Sequence, residues 1–186
     1  LIIGTIIQQI GAMVTGNTGA WIVLIGKIAA AMTGAGIGVG VARKFEASQL
    51  VVVSAATAGM VGAFAGKILS GEILQNGAIV LAGPGEPLGA FVAAYLAVEV
   101  GILIAGKTKL DILITPLVTI GVGSVVGIFV GPPISKFMAW IGSLINWGTE
   151  QQPLIMGIVV SVLMGMVFTL PISSAAIGIV LNLSGL

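Results

Sequence analysis

The feature that most constrains this chain is a series of apolar runs long enough to cross a lipid bilayer, separated by short polar or proline-rich breaks. The runs 20–42, 47–69 and 110–131 all reach the roughly 20 residues that a helix needs to span the hydrocarbon. Only 7% of the residues are charged, against about 25% in an ordinary soluble domain. Such a chain cannot cover a water-facing surface. We therefore expect an all-α, polytopic bundle of transmembrane helices whose exterior contacts the lipid bilayer.

The composition also excludes several kinds of chemistry. The chain has neither cysteine nor histidine, which removes disulfides, thiol catalysis, histidine base chemistry and nearly all zinc sites. A net charge of +1 and an aromatic content of 5% offer no surface for nucleic acid. We expect no catalytic nucleophile, no metal and no cofactor in this chain.

Both ends of the sequence read as the middle of a helix. We therefore expect residues 1–186 to be a single transmembrane domain that belongs to a longer protein. Residues 1–14 are a partial span, and residues 153–170 predict a further one. Arg43 and Lys44 lie in one loop, and Lys107 and Lys109 lie in another, two crossings further on. Because basic residues favour the cytoplasmic side, both loops are predicted to be cytoplasmic.

Residues 132–148 have a different pattern. Pro132 and Pro133 predict the end of the preceding helix, because proline lacks the backbone donor that a helix needs. The residues that follow repeat apolar side chains at helical spacing and include Trp140 and Trp147. This pattern is typical of an amphipathic helix lying in the membrane interface. A short spanning helix is the alternative.

Glycine is about twice as frequent as usual, with 29 residues. Small residues four apart on one helix face predict close helix packing in a membrane, and they occur at Gly62, Gly66, Gly123, Gly127 and Gly131. The alternating glycines from Gly34 to Gly40 predict instead a soft or unwound stretch within the run 20–42.

Glu86 is the strongest candidate for a functional residue. It lies in Gly83-Pro84-Gly85-Glu86-Pro87, where prolines and glycines forbid a regular helix. A broken or re-entrant segment survives in a membrane only where it is buried in protein or lines a wet cavity, and transporters build binding sites from such segments. A carboxylate accepts hydrogen bonds from several hydroxyls, which suits a sugar or polyol. An external loop whose glutamate faces water is the alternative.

Two further charges lie within apolar runs. Glu99 and Lys27 are site candidates because a charge at bilayer depth is costly. Glu99 is predicted either to line the substrate cavity or to pair with Lys27 in a structural ion pair. Lys67 and Glu72 lie near a helix end, where a charged side chain can reach the headgroups, so we assign them no site role.

The segment 83–87 resembles the Gly-Ile-Thr-Glu-Pro signature of enzyme IIC, the membrane subunit of bacterial sugar phosphotransferase systems. The stretch 27–42, and the stretch from Thr115-Pro116 into the glycine-rich helix, resemble a stand-alone IIC-type family of Gram-positive bacteria. Two features depart from the pattern. Pro84-Gly85 replaces Ile-Thr, and the histidine that some IIC proteins place near the sugar has no counterpart.

The resemblance implies a multi-pass permease subunit of the bacterial plasma membrane. Such a subunit binds and translocates a sugar or polyol and presents it to a separate cytoplasmic IIB phosphocarrier. The motif glutamate, Glu86, would contact a substrate hydroxyl, with Gly85 and Pro87 beside it. A homodimer is also implied. Two alternatives stay open: a IIC-like membrane sensor or regulator without transport, and an ion-coupled secondary transporter.

Overall fold

The chain is described by a computed structural model that covers residues 2–75, 77–81 and 83–149, and, beyond these, 157–158, 160–162 and 165–166. The helices are α1 Ile2–Met13, α2 Asn17–Ala31, α3 Thr33–Lys44, α4 Gln49–Ser70, α5 Pro87–Ile104 and α6 Asp111–Thr149, and a small antiparallel ribbon pairs β1 Leu74–Gln75 with β2 Ala78–Ile79. The prediction of a span over 153–170 falls largely outside the described residues.

Three of these helices are long and apolar enough to cross a membrane, namely α4, α5 and α6. Helices α2 and α3 together form a fourth candidate span that is bent, and α1 is shorter. The prediction of an all-α bundle of membrane helices is confirmed. The protein is a multi-pass membrane protein.

The helices form two groups. Helix α1 packs against α2, and we call these two helices the α1–α2 pair. Helix α4 packs against α3, α5 and α6, and we call α3–α6 the α4-centred bundle. Helices α2 and α3 are consecutive but share little surface, because a bend of only 42° leaves them end to end.

The α4-centred bundle is held together by close backbone approach. A Cβ added to Gly89 of α5 would lie 2.7 Å from the carbonyl oxygen of Gly62 on α4. A Cβ added to Gly127 of α6 would lie 2.9 Å from the Cα of the same Gly62. Because no hydrophobic drive brings helices together in lipid, such packing of small residues supplies the attraction. The glycine spacing predicted this packing on α4 and α6.

The predicted span over 20–42 is divided in two by a bend at Met32. Contrary to the prediction of an unwound stretch, residues 34–40 form a regular part of α3. Gly34 and Gly38 are buried against α4, where a Cβ on Gly34 would lie 2.8 Å from the carbonyl oxygen of Gly59. Gly34 and Gly38 thus serve close packing of α3 on α4.

Helix α6 runs through Pro132 and Pro133 without ending, so the prediction of a helix end at these residues is wrong. Prolines are tolerated in membrane helices because neighbouring helices and local adjustments accommodate the freed backbone groups. Here the preceding residue, Gly131, packs on Ala65 of α4.

Residues 132–148 are therefore the distal part of α6. Beyond the prolines, Met138 and Ile145 are buried, while Phe137 and Trp140 are exposed. A helix of 39 residues is about 58 Å long, roughly twice the hydrocarbon thickness. The interfacial location of 132–148 stays a prediction, supported by this excess length.

Candidate functional site

The segment that precedes α5 folds back against the middle of α4. The backbone N–H of Glu86 donates to the carbonyl oxygen of Ala63 at 2.7 Å. Ala63 lies seven residues before the last residue of α4, Ser70, which corresponds to about 10 Å along the helix. Pro84 and Pro87 are buried. The irregular segment thus packs beside the middle of α4 and not beyond its end at Ser70.

Gly85 makes this return possible in two ways. Its φ of +68° lies in the left-handed region that side chains other than glycine rarely adopt. A Cβ at this position would also lie 2.6 Å from the carbonyl oxygen of Ala63. The departure from the Ile-Thr of the signature therefore has a structural reason, because a threonine at Gly85 would collide with α4.

Helix α5 begins directly after the carboxylate. Glu86 is its N-cap residue and Pro87 is its first residue, a position where the missing proline donor is harmless. The backbone carbonyl oxygen of Glu86 accepts a hydrogen bond from Ala90 N at 3.0 Å. Gly85 and Pro87 thus fix the backbone of Glu86, and the Glu86 side chain takes no part in capping α5.

The Glu86 side chain is half-buried, and its Oε2 atom is fully buried without a hydrogen-bond partner. Two polar side chains interact with the carboxylate, the hydroxyl of Ser135 on α6 and the ammonium of Lys67 on α4. The Lys67 Nζ also lies 5.8 Å from the centre of the Phe64 ring. Three helices thus contribute to this site.

An unpaired buried carboxylate oxygen is unfavourable, because the desolvation of a charged acceptor is not compensated. A ligand that donates a hydrogen bond would satisfy it. No group of three or more possible metal ligands occurs within the part of the chain that the structure describes. The unpaired Oε2 itself requires a hydrogen-bond donor.

Glu99 and Lys27 lie apart from this site. Glu99 is thirteen residues after Glu86, which places it about 20 Å further along α5. Lys27 is exposed on α2, whose packing partner is α1, whereas α5 packs with α3, α4 and α6. The structure does not bring Lys27 and Glu99 together. A substrate role for Glu99 stays a prediction, at another level of the bundle.

Sequence reasoning overlooked Ser135 and set Lys67 aside as a helix-end charge. A usable signal was present in α6, where residues four apart continue the glycine face in both directions: Asp111, Thr115, Thr119, Gly123, Gly127, Gly131 and Ser135. Extending the predicted packing face by one turn beyond Gly131 reaches Ser135. One turn before Gly123, the face reaches Thr119, whose Oγ1 is buried without a partner beside Gly101.

A family model described as phosphotransferase system, EIIC, matches residues 1–186. No curated protein and no solved structure matches the chain.

Proposed function

Because this chain belongs to the phosphotransferase system EIIC family, we propose that it binds a sugar or polyol at Glu86 and presents it to a cytoplasmic IIB phosphocarrier. The family membership confirms the resemblance noted in the sequence. It makes the protein a membrane subunit of a phosphotransferase system. The substrate class, the IIB partner, a homodimeric assembly and the bacterial plasma membrane belong to the proposal.

The observation that carries the proposal is the buried, unpaired Oε2 of Glu86. Its carboxylate lies in a break between two membrane helices, the arrangement from which transporters build binding sites. A substrate hydroxyl would donate to Oε2 and remove the desolvation penalty of that atom.

The 186 residues contain neither cysteine nor histidine, the side chains that phosphocarriers use to hold a phosphoryl group. In this proposal the phosphoryl group comes from a IIB phosphocarrier, which is a separate chain or a domain outside these residues. Glu86 holds one substrate hydroxyl by a charge-assisted hydrogen bond. The hydroxyl is thereby oriented as the nucleophile toward the incoming phosphorus, and Gly85 and Pro87 keep the Glu86 backbone fixed. Positioning of this kind is a large part of what a phosphoryl transfer needs.

The test is uptake and phosphorylation of radiolabelled sugars and hexitols by membrane vesicles that contain the full-length protein and its phosphocarriers. We expect Glu86→Gln to reduce accumulation of phosphosugar at least about tenfold, because a hydrogen bond to a charged group contributes about 1.5–3 kcal/mol. Glu72→Gln is the matched control, since Glu72 is exposed in the same connection.

If Glu86→Gln accumulates as much phosphosugar as the wild type, the carboxylate has no role in the function. Flux that follows a proton or sodium gradient and needs no phosphocarrier would support an ion-coupled transporter instead. Sugar binding without any flux would support a sensor that retains the fold.

A further inference from the structure

Two of the groups around Glu86 have no role yet in the proposed function. Ser135 reaches the site from α6, and its Oγ faces α4, where a Cβ on Gly66 would lie 3.4 Å away. Lys67 lies one helical turn after Ala63, whose carbonyl oxygen receives the Glu86 N–H. Ser135 and Lys67 thus converge on the carboxylate from different helices.

We propose that Ser135 and Lys67 are positioning residues that set the direction and the charge of the Glu86 carboxylate, so that the site selects an uncharged ligand with a hydroxyl donor. This inference rests on the proposed function, because it assigns roles within the same site. Ser135 and Lys67 both interact with the carboxylate, yet Oε2 has no hydrogen-bond partner. One acceptor atom is therefore left with an unused lone pair and is held in a defined direction.

The charge balance of the site supports an uncharged ligand. The positive charge of Lys67 acts on the Glu86 carboxylate, and the two charges cancel whenever both groups are ionised. A cationic ligand would be attracted by Glu86 but repelled by Lys67. An anionic ligand would be attracted by Lys67 but repelled by Glu86. Such a repulsive element gives selectivity even where the attractive contact is shared. A neutral hydroxyl needs only the free acceptor at Oε2.

The role of Ser135 is tested without any sugar, by infrared spectroscopy of the purified full-length protein in phosphatidylglycerol–phosphatidylethanolamine vesicles. Subtracting the spectrum of Glu86→Gln from that of the wild type isolates the carboxyl absorption of Glu86. We expect Ser135→Ala to shift this band and Ser135→Thr, which keeps the hydroxyl, to restore it. Ser143→Ala is the matched control, because the exposed Ser143 on the same helix donates to Trp140 O at 2.7 Å. An unshifted band in Ser135→Ala would overturn the assignment.

The role of Lys67 is tested by selectivity. Binding is measured for D-glucose, D-mannose and D-galactose, each against its 2-amino derivative, which is cationic at neutral pH. We expect Lys67→Gln to move the affinity ratio toward the amino sugar by about tenfold, the effect of one modest charge interaction. Lys67→Arg keeps the ratio because it keeps the charge. Lys136→Gln removes an exposed lysine next to Ser135 and serves as the control.

The results separate the two ideas. A ratio that stays constant in Lys67→Gln, or that moves toward the neutral sugar, overturns the charge role of Lys67. If neither these sugars nor the hexitols of the uptake test bind to the wild type, the proposed function is contradicted. The infrared result on Ser135 then decides independently whether the side chains hold the carboxylate as inferred.

Discussion

The α1–α2 pair and the α4-centred bundle are built by the same kind of packing but carry different polar groups. In the pair, glycines seven residues apart face each other: a Cβ on Gly4 would lie 2.9 Å from Gly26 O, and one on Gly11 would lie 3.0 Å from Gly19 O. In the bundle, α4 is surrounded by three helices. The half-buried carboxylate Glu86 and the buried hydroxyl Thr119 both lie in the bundle.

The difference shows where a membrane protein can place polar chemistry. A helix with a single partner leaves most of its surface to lipid. In the α1–α2 pair, for example, Ile3, Trp21 and Ile25 are exposed. A helix with three partners creates interior surface where a carboxylate can be kept from lipid and paired. We therefore expect the bundle to hold the site, while the pair folds and moves as a separate unit.

The largest effect is expected at the centre of the bundle. In Gly62→Leu the new side chain begins with a Cβ that would lie 2.5 Å from the Ala93 Cβ and 2.6 Å from Gly89 O. Neither neighbour can move without separating α4 from α5, so we expect destabilisation by about 3 kcal/mol or more. Thermal unfolding in detergent measures it, and an unchanged melting temperature would show that α4 is not the organising helix.

An intermediate and local effect is expected in the α1–α2 pair. In Gly26→Leu the new Cβ would lie 2.6 Å from the Gln8 Cγ and 2.7 Å from Gly4 O. We expect α1 and α2 to separate at a cost of about 1–3 kcal/mol, while the bundle stays folded. Hydrogen exchange resolved by mass spectrometry should show faster exchange in α1 and α2 only. Faster exchange in α4 as well would mean that the two groups form one cooperative unit.

The smallest effect, of opposite sign, is expected on the outer face of α3. A Cβ on Gly36 would meet no atom within 4 Å, and alanine forms helix better than glycine by up to about 1 kcal/mol. Gly36→Ala should therefore raise the melting temperature slightly without changing uptake. Lost uptake at unchanged stability would instead support a functional need for softness in residues 34–40.

Some features that depend on local residue chemistry were predicted correctly from the sequence alone. The scarcity of charge identified a membrane bundle, because no arrangement of these residues could cover a surface in water. Two prolines and two glycines in 83–87 identified a helix break and its carboxylate, because proline and glycine restrict the backbone wherever they occur. The four-residue glycine spacing identified the packing faces of α4 and α6.

Other features were decided only by tertiary contacts. Pro132 and Pro133 do not end α6, because packing on α4 offsets the backbone hydrogen bonds that the two prolines cannot make. The sequence shows the missing donors but not the packing that offsets them. The bend at Met32 accompanies a change of packing partner, from α1 for α2 to α4 and α5 for α3. Ser135 meets Glu86 across 49 positions of sequence, a distance that no local pattern encodes. Local residues determine where a helix can run, whereas long-range packing decides which side chains meet.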